Sequence, residues 1–300
     1  MCWNGHSFVL SGNDLTNDIE TLAFHLREMA AEKIFGSLKE YHDQIPFTPS
    51  WITYGGIDSD IKISRDEFDK LIRETDEAEN QLLYYHDLVS LIGSMQNAVQ
   101  QAKHLMGEFY RELNRNSFML SPEPFEPDMT MIASGLMVTS IFSFTNHLFI
   151  TLYSQLDFIS KICFELENLQ TDFSSYPKLK SSKILYGDSK RLKLHGEKGT
   201  LFEDTDNLRL IQTLRNEIVH NGSFENIPKV FLEFRENHII EKFIFLPDFE
   251  NGIIKTVKNR KRFFDDEVKL NELLPELIFD FWERLVKTLT LMVSDWLPHD

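Results

Sequence analysis

The sequence predicts a mainly α-helical fold with a small antiparallel β insert. Apolar residues recur every three or four positions over long stretches, which is the period of an amphipathic helix. Clusters of Pro, Gly and Asn separate these stretches. The stretch at about 228–258 is instead rich in Phe and Ile and contains turn signals at Glu236-Asn237 and Asn251-Gly252. With 42% hydrophobic residues over 300 positions, the chain can bury one large core or two modest ones.

An N-terminal helical extension and linker is predicted over residues 1–62. Apolar residues at helical spacing predict its helix at about Leu15 to Tyr41. Two prolines and Gly55-Gly56 then break the period between Pro46 and Asp60. Asp58 and Asp60 could suggest a cation-binding loop, but the other positions of an EF-hand do not match. We therefore expect a linker here.

Residues 63–300 are assigned to a second, larger domain made of long helices. Ser64 and Glu67 have capping-box spacing and predict a long helix or a helix pair that continues to about Asn114. The three prolines of Ser121 to Pro127 predict a loop. Further helices are expected at about Thr130 to Leu169 and at about Glu267 to Trp296, the latter with Pro275 near its start or at a kink.

The helix predicted from Thr130 to Leu169 is apolar on most sides but carries a narrow polar stripe. The stripe consists of Ser140, Ser143, His147, Ser154, Asp157 and Lys161. It is either the solvated strip of a buried helix or the wall of a polar cleft, so Asp157 is a secondary candidate for a site residue. Because polar residues interrupt the apolar run, we expect a buried helix and no membrane span.

Charge limits the kinds of partner that the chain can bind. Acids outnumber bases 47 to 31, for a formal net charge of −16, so RNA would on average be repelled. An RNA-binding role needs a local basic patch, and 178–198 and 255–262 are both rich in Lys and Arg. Lys190, Arg191 and Lys193 are the RNA-binding candidates, with a solvated loop as the alternative. If they guide RNA, affinity should fall as salt rises.

No cofactor, metal or disulfide framework is expected. The two cysteines, Cys2 and Cys163, lack any CxxC or Cys/His ligand spacing, and Cys163 lies in an apolar stretch typical of a core. Neither a P-loop nor an HExxH motif is present. Residues 1–6 have no basic region and no apolar region of a secretory signal, so a cytoplasmic location is expected.

The most informative string is Arg215-Asn216-Glu217-Ile218-Val219-His220. Asp204-Thr205-Asp206 supplies acids and a capping side chain at the start of its helix, and Asn221-Gly222 supplies a left-handed stop at the end. Residues 216 and 220 are one turn apart and residue 215 is adjacent, so the three side chains can converge on one phosphate. Histidine, with an ordinary pKa of about 6.5, can take a proton from an RNA 2′-hydroxyl, while arginine stabilises the phosphate. This chemistry requires RNA and leaves a 2′,3′-cyclic phosphate.

The string resembles the R-x4-H signature of HEPN domains, including the Asn after Arg and the apolar pair before His. The resemblance implies a bundle of four or five helices over about 63–300 and a metal-independent endoribonuclease with Arg215, Asn216 and His220 as catalytic residues. It also implies a homodimer through the motif helix. A toxin or defence effector held inactive by an antitoxin or regulatory protein would fit this family. The N-terminal helix and the β insert lie outside the common pattern.

Two alternatives remain at this point. A non-catalytic HEPN module could bind a nucleotide or a protein partner through the same groove, and the negative net charge favours this more than RNA cleavage. Alternatively the motif is structural: Arg215 pairs with a surface acid, Asn216 and Asn221 cap the helix, and His220 only favours its negative end.

Overall fold

A computed structural model describes residues 2–3, 8–9, 15–54, 63–115, 118 and 128–294. The fold is mainly helical with small antiparallel sheets, as predicted. The α-helices are α1 (Leu15–Phe35), α2 (Leu38–Gln44), α3 (Ser50–Tyr54), α4 (Arg65–Leu71), α5 (Glu77–Arg115), α6 (Leu136–Glu167), α7 (Asp206–Asn221) and α8 (Leu270–Ser294). The strands are β1 (Cys2–Trp3), β2 (Phe8–Val9), β3 (Met129–Ala133), β4 (Val230–Arg235), β5 (His238–Phe243), β6 (Phe249–Glu250) and β7 (Ile253–Ile254). The loop predicted at 121–127 and the centre of the predicted linker, 55–60, lie outside the described residues.

The chain forms two compact units, each built from several segments. The first unit comprises Met1–Asp14, Ala98–Ser154 and Glu203–Arg284, and the second comprises Leu15–Asn97, Gln155–Phe202 and Leu285–Asp300. The first therefore contains α7 with its motif, and the second contains α1. The boundary predicted at residue 62 stays a prediction.

Two consecutive capping boxes shape the region after residue 63. The Ser64 hydroxyl accepts a hydrogen bond from the Glu67 N–H, and the Glu67 carboxylate accepts from the Ser64 N–H, as predicted. Asp76 and Glu79 make the same reciprocal bonds at the start of α5. Of the two possibilities left by the sequence, a helix pair is therefore the one that forms.

The helix predicted from Thr130 is wrong at its beginning, because Met129–Ala133 forms strand β3 and the helix begins only at Leu136. β3 pairs antiparallel with β4 over its whole length, from Met129 opposite Phe234 to Ala133 opposite Val230. A short apolar run fits a buried strand or a buried helix equally well, and here the distant partner strand decides. Gly135, at φ +107°, makes the bend between strand and helix.

The predicted β insert is confirmed as antiparallel hairpins. Glu236 and Asn237 both have positive φ and join β4 to β5, and Asn251 and Gly252 do the same between β6 and β7. The three-stranded sheet has the order β3-β4-β5. Two of its strands, β4 and β5, belong to the insert, whereas β3 lies before α6 in the chain.

Glycine at position 252 allows the second hairpin to pack closely on α7. A Cβ at this position would lie 2.3 Å from the carbonyl oxygen of Asp206 and 2.9 Å from the amide nitrogen of Leu210. The φ of +77° also disfavours any other residue. The hairpin thereby supports the first turn of the motif helix, whose other face buries Leu208, Ile211 and Leu214.

The most apolar helix is α6. By length and composition it is the one helix in the described ranges that could cross a membrane, with an 18-residue window of mean hydropathy 1.3, and 44% of that window is buried in the fold. A core helix of a soluble protein passes the same test, and this burial favours the core helix that the sequence predicts. Cys163 is 2% exposed, which confirms it as a core residue.

Candidate functional site

Both ends of the motif helix lie where the sequence predicts them. The Thr205 hydroxyl accepts a hydrogen bond from the Leu208 N–H at 3.4 Å. At the other end, Gly222 has a φ of +81° and its N–H donates to the Ile218 carbonyl at 2.9 Å. Residues 215–220 therefore occupy the last two turns of a helix that is well capped at both ends.

Arg215 is held in place without being neutralised. Its guanidinium carbon lies 4.7 Å from the ring centroid of Tyr153 on α6, which is a cation–π geometry. Its Nη1 donates to the Asn216 Oδ1 at 3.0 Å. Within the described parts of the chain, no carboxylate forms an ion pair with Arg215. The side chain thus keeps its charge and most of its donors for an anion.

His220 is one of two exposed residues of the motif, with Val219. It is exposed on the last turn of α7, and its imidazole makes no hydrogen bond or ion pair with any residue that the structure describes. Asn216 is tied to Arg215 and, in the same described region, not to His220. An exposed imidazole can move a proton, and a guanidinium without a carboxylate partner can bind a phosphate. The two side chains are five positions apart on α7, so they leave the helix about 140° apart.

The carboxylate inside the motif is engaged on both oxygens. Lys261 Nζ lies 2.6 Å from Glu217 Oε1, and Asn221 Nδ2 donates to Glu217 Oε2 at 2.8 Å. Asn221 therefore binds a side chain instead of capping the helix. Sequence reasoning missed this use of Lys261, as it missed Tyr153, because neither partner is near the motif in sequence.

Two contacts place α6 and α7 side by side with opposite directions. Arg215 lies over Tyr153, and the Ser223 Oγ lies 3.5 Å from the Asn146 Oδ1. Helical spacing puts Val219 one turn beyond Arg215 on α7, towards Ser223, which follows the end of that helix. On α6, Ile150 lies between Asn146 and Tyr153. Val219 is 50% exposed and Ile150 is 37% exposed. A small apolar surface therefore accompanies the motif.

Asp157 lies in the second unit, whereas the motif lies in the first. Its Oδ1 accepts a hydrogen bond from the Tyr186 N–H at 2.8 Å, which fixes the start of the 3-10 segment Tyr186–Arg191. The hydroxyls of Ser140, Ser143 and Ser154 each donate to a carbonyl of their own helix. These contacts favour a solvated stripe on α6.

The proposed RNA-binding cations lie in the second unit too. Lys190, Arg191 and Lys193 have exposed side chains, and the Lys193 N–H donates to Glu167 at 2.9 Å. Their binding to RNA stays a prediction. In the other basic stretch, Lys255 pairs with Asp266 at 2.7 Å, so this cation already has an anionic partner.

Comparison of the chain with protein-family models, curated proteins and solved structures finds no match in any of the three. In the described ranges, no group of three or more His, Cys, Asp or Glu side chains could hold a metal ion. The resemblance to HEPN domains therefore depends on the motif and its helix.

Proposed function

We propose that the chain is a HEPN-type endoribonuclease in which Arg215 and His220 cleave RNA without a metal. The observation that carries the proposal is the state of these two side chains. Arg215 is positioned by a ring and an amide and has no carboxylate partner in the described residues, and His220 is exposed. A structural arginine of the kind considered above would have an acidic partner.

The proposed step is attack of the RNA 2′-oxygen on the adjacent phosphorus. His220 accepts the 2′-hydroxyl proton, and Arg215 donates to the phosphate oxygens as negative charge develops on them. The bond from phosphorus to the 5′-oxygen breaks, leaving a 2′,3′-cyclic phosphate and a 5′-hydroxyl. Asn216 positions Arg215 through the bond from Nη1 to Oδ1. A proton must also reach the leaving 5′-oxygen, and a second imidazole can supply it.

We propose that this second imidazole comes from another copy of the chain in a homodimer formed through the motif helix. The exposed Val219 and Ile150 support this because a two-fold contact needs a self-complementary apolar surface next to the site. Light scattering should show a dimer, and Val219→Asp should give a folded monomer without activity. A wild-type monomer with full activity would contradict the dimer.

The test of the nuclease is RNA cleavage by single variants. His220→Ala and Arg215→Ala should each lower cleavage by about a hundred- to ten-thousandfold, and Asn216→Ala should have a milder effect. His238→Ala and Arg235→Ala are matched controls because both side chains are exposed in the same unit, on β5 and β4. Cleavage by the motif variants at the control rate would refute the assignment.

The resemblance also supports a cytoplasmic toxin or defence effector controlled by an antitoxin or another regulatory protein. The alternative function is a non-catalytic module that binds a nucleotide or protein at the same groove, and the net charge of −16 favours it. Nucleotide titration separates the two. The alternative would be established if the wild-type protein binds a nucleotide but cleaves no RNA, and if Arg215→Ala loses that nucleotide binding.

A further inference from the structure

A cavity of about 220 Å³ lies in the first unit, built partly by the segment that follows the motif helix. Four phenylalanines and two charged side chains line most of it. They are Phe142, Phe231, Phe245, Phe264, Glu225 and Lys229. The mechanism proposed above uses none of these residues.

The segment after the motif helix is anchored beside the cavity. Phe224, which is fully buried, stacks on Phe142 with ring centroids 5.3 Å apart and an interplanar angle of 26°. Ser223 contacts Asn146 one turn further along α6. Glu225 therefore has a defined position, five residues beyond His220 in the chain.

Aromatic side chains form most of the cavity wall. The Phe231 and Phe245 centroids lie 4.7 Å apart with the rings tilted by 59°, and Phe264 lies 6.4 Å from Phe245 with a tilt of 45°. All three rings are only half-buried, so part of each ring is accessible. Exposed aromatic faces stack on planar heterocycles such as nucleobases. The volume is below the range of about 300–1,000 Å³ typical of drug-sized ligands, so one fused ring system fits better than a larger molecule.

The two charged side chains have bonding capacity left over. Glu225 is 9% exposed, and its Oε1 accepts from the Ile227 N–H at 3.1 Å and lies 3.7 Å from Arg262 Nε. Its Oε2 and the Lys229 ammonium make no hydrogen bond with any of the described residues. A ligand that presents N–H donors beside a carbonyl acceptor would satisfy both groups.

We propose that this cavity binds a guanine base. Guanine carries adjacent N1–H and N2–H donors for the Glu225 carboxylate, and O6 and N7 acceptors for the Lys229 ammonium. Adenine offers one amino group and no carbonyl, and pyrimidines present a smaller ring to the aromatic walls. A role for the cavity in recognising a base of RNA rests on the proposed nuclease function. Binding of free guanosine does not depend on that function.

The test is calorimetric titration of the full chain with guanosine, inosine and adenosine. Inosine lacks the N2 amino group, so it should bind about tenfold more weakly than guanosine, and adenosine should be weaker still. This comparison needs no variant and so does not depend on folding. Equal affinity for guanosine and adenosine, or no binding of guanosine, would overturn the proposal.

Variants locate the binding. Glu225→Gln keeps an oxygen for the Ile227 N–H but removes the charge, and should weaken guanosine binding about ten- to a hundredfold. Phe264→Leu, which removes one stacking face, should weaken it about tenfold. Glu233→Gln is the control, because this β4 carboxylate pairs with Arg235 and does not line the cavity. Wild-type affinity in Glu225→Gln would also overturn the proposal.

The outcome for the cavity can be separated from that for the nuclease. His220→Ala should lose cleavage and keep guanosine binding. Binding of guanosine by a wild type that cleaves no RNA would support the cavity and refute the nuclease. Cleavage of RNA by a wild type that does not bind guanosine would support the nuclease and refute the guanine site.

Discussion

Polar side chains at the centre of the second unit and at the motif end of the first unit differ in how completely they are paired with hydrogen-bond or ion-pair partners. Glu165 is fully buried, and both of its oxygens accept hydrogen bonds, from the Tyr84 hydroxyl at 2.6 Å and from the Ser181 N–H at 2.7 Å. Arg215 and His220, in contrast, have no anionic partner among the described residues. A buried polar group without a partner is costly, so complete pairing marks a structural network. Charged side chains at an exposed helix end that have no ion-pair partner are available to a ligand.

The shifted pKa of Tyr84, which donates to Glu165 in this buried network, agrees with a structural role. Burial raises the pKa of the Tyr84 phenol well above its ordinary value, and the hydrogen bond to Glu165 raises it further. Nearby, partial burial raises the pKa of Asp87, which lies outside this network, and the hydrogen bond from Tyr176 opposes the shift. Tyr84 therefore remains a protonated donor at neutral pH, as a fixed hydrogen bond requires.

The largest effect on stability is expected from breaking that network. Glu165→Ala leaves the Tyr84 hydroxyl and the Ser181 N–H without their acceptor, and should lower the free energy of unfolding by about 2–5 kcal/mol. Urea denaturation measures the loss. Glu272→Ala is the control, since Glu272 is mostly exposed and should cost less than about 0.5 kcal/mol. A loss as small as the control's would remove the contrast between the two regions.

A smaller effect is expected from the ring beneath Arg215. Tyr153→Leu removes the cation–π contact and should lower kcat/KM for RNA about two- to fivefold. Tyr153→Phe keeps the ring and should retain the wild-type value. If the Phe variant is as impaired as the Leu variant, the hydroxyl matters instead of the ring, and Tyr153 does not position Arg215 in this way.

Local signals in the sequence predict local structure well. The Ser64 box, the Thr205 cap, the Gly222 stop and the Asn251-Gly252 turn each depend on neighbours in the chain, and all of them form. Features that depend on distant partners were not predictable. β3 is a strand because β4 pairs with it, and the sequence does not indicate that pairing.

In the candidate site, too, local features were predictable from the sequence and contacts with distant residues were not. The placement of Arg215, Asn216 and His220 near a helix end follows from sequence alone, because caps and spacing are local. The ring of Tyr153 and the ammonium of Lys261 reach the motif from other parts of the chain. The aromatic cavity was equally hidden, since Phe231 and Phe245 are recognisable in sequence only as residues that favour strands.

Substrate chemistry shows whether Arg215 and His220 direct the RNA 2′-hydroxyl at phosphorus. The measurement compares cleavage in EDTA of an RNA oligonucleotide and of the same oligonucleotide with one 2′-deoxy position at the cleaved bond. We expect cyclic-phosphate ends from the first and no cut at the altered bond of the second, because the nucleophile is missing. Equal cleavage of both, or loss of all cleavage in EDTA, would contradict this mechanism.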